Sequence, residues 1–356
     1  MRSLTSSLLV VPLVAAAALL GACSEDAQTH RVFHNLSGPT AAAGAGAAGT
    51  GTAGEGTAGA AGTTSPIDGG DITDGDGTTS DGATSSGCGI EPNINRDQFV
   101  LFHLTTVINT ATGAMGDRSY WVRLPPAYNP ATPYRVIYLG TGCNGTGRTS
   151  YAFNTVDMGQ AILVGLNTLE DKAHDPNQAA SVIAKECFDD QVANSIEYPF
   201  FDALHKQVEK TLCVDTKRQF WAGYSSGSWM ANMMACGFGG SVLRAVGGVS
   251  GGLPALPPCA GPVAQMFIHD MMDPGNPFSG SVAGRNRTLL INKCVGTDTA
   301  PYDPGPGAIV PPNSACVKFT GCPPETPVIF CTTVGQGHGS QDPLAVAGFW
   351  NFFKTF

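Results

Sequence analysis

From residue 120 onward, short apolar runs alternate with longer segments of helical periodicity. Tyr120 to Leu124 reads as an early strand that Pro125 and Pro126 stop. Tyr134 to Leu139 (YRVIYL) is a second strand, apolar on both faces as strands buried inside a sheet are. Ala161 to Gly165, Gln219 to Ala222, Leu243 to Val249, Val263 to His269 and Val328 to Thr332 have the same character. Between them, Tyr198 to Leu212 carries Phe201, Leu204, Val208 and Leu212 on one helical stripe, and Leu344 to Phe353 is a terminal apolar helix. Strands that alternate with helical runs predict an α/β domain built on a mostly parallel sheet.

One of these junctions carries a chemical signature. The strand Gln219 to Ala222 runs into Gly223-Tyr224-Ser225-Ser226-Gly227, and an apolar helix with Trp229, Met230, Met233 and Met234 follows at once. Gly-x-Ser-x-Gly between a strand and a helix is the nucleophile elbow of the α/β-hydrolase fold. The turn lifts the Ser225 hydroxyl clear of the backbone and leaves the Ser226 N–H at a helix N-terminus, where it can meet a developing oxyanion. With 46 glycines in the chain, the motif alone is a weak signal. A second copy, Gly248-Val249-Ser250-Gly251-Gly252, follows a strand too, but Leu253-Pro254-Ala255-Leu256-Pro257-Pro258 comes next and cannot start a helix. Ser225 is therefore the candidate nucleophile. In the same fold the loop after an early strand donates a second oxyanion N–H. Gly140-Thr141-Gly142-Cys143-Asn144-Gly145 stands in that place, which makes Cys143 the second expected donor.

A serine hydroxyl needs a base, and the base needs an orienting carboxylate. In this fold they follow the serine in the order acid, then histidine. The only histidines after Ser225 are His269 and His338. His338 lies in a glycine-rich loop past the last strand. Asp270 and Asp273 sit at the carboxyl edge of the preceding strand, where such sheets put their sites. Ser225, Asp273 and His338 satisfy the order, with Asp270 as the rival acid.

The amino-terminal quarter is different. Arg2 followed by the apolar run Leu8 to Leu20 reads as an export signal, too short to remain as a membrane span. It ends in Leu20-Gly21-Ala22-Cys23, which resembles a bacterial lipobox and implies cleavage after residue 22 and lipidation of Cys23. The chain would then touch a membrane through that anchor without crossing it. Residues 23–87 are dominated by Ala, Gly, Thr and Ser, then by an acidic patch at Asp68, Asp71, Asp74, Asp76 and Asp81; such a segment is expected to be a disordered linker. About 50 such residues would reach roughly 40 Å. Residues 88–356 remain as the catalytic domain. Ten of the chain's 11 cysteines fall there, an even number that in an exported chain suggests disulfides. A net charge of −9 argues against nucleic acid as a partner.

Taken together, the chain resembles the secreted feruloyl esterases of type C and the poly(3-hydroxybutyrate) depolymerase-like esterases, which are α/β hydrolases. The likeness runs through Gly87-Cys88-Gly89, Tyr120 to Pro125, Tyr128-Asn129-Pro130, Leu212 to Asp215, the elbow, Asn292-Lys293-Cys294, Thr320-Gly321-Cys322, Val328 to Cys331, Gly337-His338 and Trp350 to Phe353. In the segment His269 to Gly280 the resemblance implies that the acid sits four residues after a histidine, which favours Asp273. The family usually has His-Gly in the oxyanion loop, where this chain has Thr141-Gly142. Cys143 and Cys187 are extra to the family pattern, which suggests that they pair with each other. Cys236–Cys259 is a second expected pair, and Cys294, Cys316, Cys322 and Cys331 pair among themselves or with Cys88 or Cys213. The implied protein is a lipid-anchored serine carboxylesterase acting on feruloyl or acetyl esters of polysaccharide, with no metal or cofactor. A polyester depolymerase, or an inactive hydrolase-fold protein that binds a surface polymer, stands as the alternative.

Overall fold

The structure, a computed structural model, describes residues 83–149, 157, 159–169, 187–189, 195–254 and 258–356. The expected signal peptide (1–22), the expected lipidation site Cys23 and nearly all of the expected linker lie outside the described residues. Residues 83–87, assigned to the linker on composition, pack onto the domain. Thr84 bridges Asp215, the Ser85 and Gly87 amides donate to the Val214 and Glu209 carbonyls, and Ser85 Oγ donates to Leu212 O at 2.6 Å. This segment is held by backbone pairing and a serine hydroxyl, so it has no apolar side chain to betray it.

The core is a ten-stranded sheet. At one edge, β1 (Val100–Asn109) and β2 (Ala114–Arg123) form an antiparallel hairpin, and β2 runs antiparallel to β4 (Ala161–Leu166). From β4 the sheet is parallel through β3 (Tyr134–Gly140), β5 (Val214–Tyr224), β6 (Ala245–Val249), β7 (Ala264–Asp270) and β10 (Val328–Thr333). Two short antiparallel strands, β9 (Ala315–Phe319) and β8 (Thr299–Pro301), close the far edge. The strand order is β1-β2-β4-β3-β5-β6-β7-β10-β9-β8.

The parallel strands are apolar on both faces because both faces are covered. Along β3, Val136 and Tyr138 point into one cluster and Ile137 and Leu139 into another. Along β5, Trp221 takes the first side, and Phe220 and Ala222 take the second. On the first side lie α1 (Glu197–Thr211) and α2 (Ser226–Phe238), with Phe201 edge-on to both Tyr138 and Trp221. On the second lies α4 (Asp342–Phe353), whose Phe353 stacks on Phe220 at 4.8 Å between ring centres. Another helix, α3 (Phe278–Ile291), covers the β7–β10 end through Leu289 and Phe278. Five disulfides staple the domain: Cys88–Cys213, Cys143–Cys187, Cys236–Cys259, Cys294–Cys322 and Cys316–Cys331.

Candidate active site

The central parallel strands all point their carboxyl ends toward one edge, and the side chains singled out above gather there. Ser225 sits between β5 and α2 at φ 52° and ψ −117°, a conformation uncommon for a residue with a Cβ. Backbone crowding makes the bend this tight. A Cβ at position 223 would collide with the Gly227 carbonyl, and one at 227 with the Gly140 carbonyl, so β3, β5 and α2 meet through bare backbone. The bend is held from both sides: Ser225 N–H donates to Val249 O at 2.9 Å, and its carbonyl accepts the Ser228 and Trp229 amides.

His338 comes from the loop between β10 and α4, which Gly335 and Gly337 shape with positive φ. Its Nε2 lies 2.9 Å from Ser225 Oγ. Its Nδ1 lies 2.9 Å from both carboxylate oxygens of Asp273. Tyr224, beside the serine, donates its hydroxyl to the His338 carbonyl at 2.8 Å and so ties the loop to the elbow. On the opposite side, Gly275 lies so close that a Cβ there would come within 2.7 Å of the imidazole.

Asp273 is held as firmly as the histidine. Its Oδ1 accepts the Gly275 and Asn276 amides at 2.7 and 2.9 Å. Burial pushes the Asp273 carboxyl up, but those two amides and His338 outweigh it and hold the group below its ordinary value. The Tyr224 phenol is pushed up, by burial first and then by the charges of Asp273 and Asp342.

Asp270, the rival acid, is occupied elsewhere. Its Oδ1 accepts the Met272 amide, and its Oδ2 accepts the Gln336 amide at 2.7 Å and the Thr333 hydroxyl at 3.2 Å. It braces the acid loop against the histidine loop, a role that nothing in its sequence neighbourhood announces. Ser250 also has a positive φ, 54°, but it is buried and its hydroxyl donates to Gly339 O at 3.2 Å. The second Gly-x-Ser-x-Gly therefore supports the histidine loop from below.

The expected oxyanion loop stands against the elbow. A Cβ built at Gly142 would lie 3.5 Å from Ser225 Cβ and 3.1 Å from the Tyr224 ring. Ser226 is the first residue of α2, in the turn whose amides have no acceptor within the helix. Its hydroxyl accepts the Phe188 amide at 2.8 Å, and the Cys143–Cys187 bridge joins that same segment to the loop. Behind it, a fully buried Arg118–Glu197 pair at 2.8 Å carries the Asp189 amide on its free carboxylate oxygen. The amides of residues 143 and 226 thus belong to one cross-linked unit. Among the described residues no group of three or more His, Cys, Asp or Glu side chains could hold a metal ion, and no helix is long and apolar enough to cross a membrane.

No family model matches the chain. It is 31% identical over 286 residues to the probable feruloyl esterase C of Aspergillus oryzae, covering 76% of this chain and 90% of that one. It is 32% identical over 279 residues to the feruloyl esterase C of Emericella nidulans and 30% identical over 282 residues to the feruloyl esterase D of Neurospora crassa, with the same shares covered. Among solved structures, the acetyl xylan esterase from Aspergillus awamori superposes with a TM-score of 0.50 at 14% identity, over 71% of this chain and 99% of that one, a likeness of fold.

Proposed function

Since the chain belongs to the feruloyl esterase family and is a carboxylic ester hydrolase, we propose that it cleaves feruloyl esters of polysaccharide, and acetyl esters second, through Ser225, His338 and Asp273. The observation that carries this reading is the unbroken line from Ser225 Oγ to His338 Nε2 and from His338 Nδ1 to Asp273, each step 2.9 Å. Ser225 Oγ attacks the ester carbonyl while His338 takes its proton at Nε2. Asp273 keeps the other ring nitrogen protonated and stabilises the imidazolium that forms. The Ser226 and Cys143 amides hold the negative oxygen, each contributing roughly 3 kcal/mol to the transition state. His338 then returns the proton to the departing sugar oxygen, and the acyl group stays on Ser225. A water, deprotonated by the same imidazole, releases the acid and restores the serine. This chemistry proceeds on the chain's own groups.

A substrate panel tests the reading. Methyl ferulate and feruloylated arabinoxylan are expected to release free ferulate, and acetylated xylan to release acetate more slowly. Clearing of polyhydroxybutyrate films with both feruloyl substrates left intact would overturn the substrate class in favour of a polyester depolymerase.

The five disulfides point to an oxidising compartment outside the cytosol. Lipidation of Cys23, with the following residues as a tether, is the finer proposal, and the apolar run ending in Leu20-Gly21-Ala22-Cys23 supports it. Expressed in a bacterium, the full chain is expected in the membrane fraction and its Cys23→Ala variant in the soluble fraction. A full chain found soluble would refute the anchor.

A further inference from the structure

We infer that His269 is a positioning residue of the triad, holding the loop that carries Asp273 through the Asn276 carbonyl. The inference rests on reading Asp273 as the acid of the triad. His269 is the penultimate residue of β7 and is fully buried. Its Nε2 lies 3.0 Å from the Asn276 carbonyl and 3.3 Å from Asp273 Oδ2. Its Nδ1 lies 2.7 Å from Ser281 Oγ on α3, and that hydroxyl is 3.1 Å from the Gly251 carbonyl.

These partners fix the proton. A carbonyl oxygen only accepts, so Nε2 must carry hydrogen and donate it to Asn276, whose own amide donates to Asp273 Oδ1. The other nitrogen has two arrangements. In the neutral ring it accepts from Ser281; in the imidazolium it donates to Ser281, which then donates to Gly251. Burial holds the His269 imidazole below its ordinary value, which selects the neutral arrangement. In both, the donor to the Asn276 carbonyl is the same. The charged and titratable groups acting on the ring are Asp273 on the acid loop, His338 on the histidine loop and Asp270 at the end of its own strand.

The carboxylate is therefore held through its loop. Oδ1 takes the Gly275 and Asn276 amides, and His338 lies 2.9 Å from both oxygens. Asn276 links the two histidines: its amide holds Asp273, and its carbonyl is held by His269. Removing the His269 N–H loosens that turn, so Asp273 no longer keeps the His338 ring in line with Ser225, and turnover falls.

The test is a pair of variants read by steady-state kinetics. His269→Phe is expected to lower kcat about tenfold, through loss of one hydrogen bond and a buried carbonyl left without its donor. Its KM should stay close to wild type. His269→Gln, which can offer an N–H to the same carbonyl, is expected to recover most of the rate. A folded His269→Phe with wild-type kcat would overturn the inference. Should that variant fail to fold, nitrogen NMR of the histidine side chains in the wild-type protein decides: His269 protonated at Nε2 at neutral pH supports the inference, and a ring protonated only at Nδ1 overturns it. An active Asp273→Asn would instead bring down the triad itself, so the two failures are distinguishable.

Discussion

Ser225→Ala is expected to lower kcat on a feruloyl ester by about 10⁶-fold while leaving the melting temperature nearly unchanged. The hydroxyl is the group that becomes covalently bonded, and no neighbouring group can replace it. Removing it from a site that still has its base and its oxyanion amides leaves roughly 10³- to 10⁴-fold acceleration over water. The change costs little stability because alanine accepts the same backbone position and the Ser225 amide keeps its bond to Val249. Ser250→Ala is the matched control. It sits in an identical five-residue pattern, but its hydroxyl only tethers Gly339, so its loss should cost about 1 kcal/mol of stability and a small part of the rate. Equal losses of activity in the two variants would contradict the assignment.

Asp273→Asn should lower kcat by about 10⁴-fold, and the reason lies in which oxygen is already committed. Oδ1 accepts the Gly275 and Asn276 amides. An asparagine must leave its oxygen there, which turns its NH₂ toward His338 Nδ1. That nitrogen can then only accept, its proton moves to Nε2, and the ring can no longer take a proton from Ser225. KM should change far less than kcat, since the carboxylate does not face the substrate. Asp270→Asn is expected to behave oppositely. It leaves an NH₂ group facing backbone amides or the Thr333 hydroxyl, for a stability loss of about 1–3 kcal/mol, with the triad geometry weakened and still in place. Steady-state kinetics paired with thermal melts separates the two aspartates.

The elbow was readable because its constraints are local. Gly223 and Gly227 are demanded by backbone contacts that any strand–turn–helix bend of this kind makes, and the apolar run on either side declares the strand and the helix. The central strands were readable for a related reason: burial on both faces writes an uninterrupted apolar run. The sequence is silent where burial is one-sided or polar. β1 (VLFHLTTVIN) is an edge strand with only Thr106 and Ile108 buried, so its alternation is diluted by His103 and the threonines. β5 begins at Val214, well before the apolar run, because Asp215 and Arg218 are buried as a 2.7 Å pair and read as surface residues when seen singly. α3 buries Ser281, Gly284, Thr288 and Leu289, a face of small and polar residues with no hydrophobic stripe to detect.

The same limit applies at the site. Ser225, Asp273 and His338 could be ordered along the chain by the chemistry they would perform, and Cys143 and Cys187, joined in the structure, stood apart from the resemblance pattern. The supporting groups gave no such signal. Asp270 acts by a hydrogen bond to Gln336, 66 residues away, His269 reaches Ser281 on α3, and Tyr224 acts on a carbonyl more than a hundred residues later. Those partners exist only once the β7, β10 and α2 loops have been brought together.

The most direct test is covalent trapping. After incubation with a fluorophosphonate, peptide mass spectrometry of the wild-type protein is expected to find one phosphonyl adduct, on Ser225, and none in Ser225→Ala. A correctly folded protein that stays unlabelled, or that carries the adduct on another residue, would contradict the assignment of Ser225 as the nucleophile.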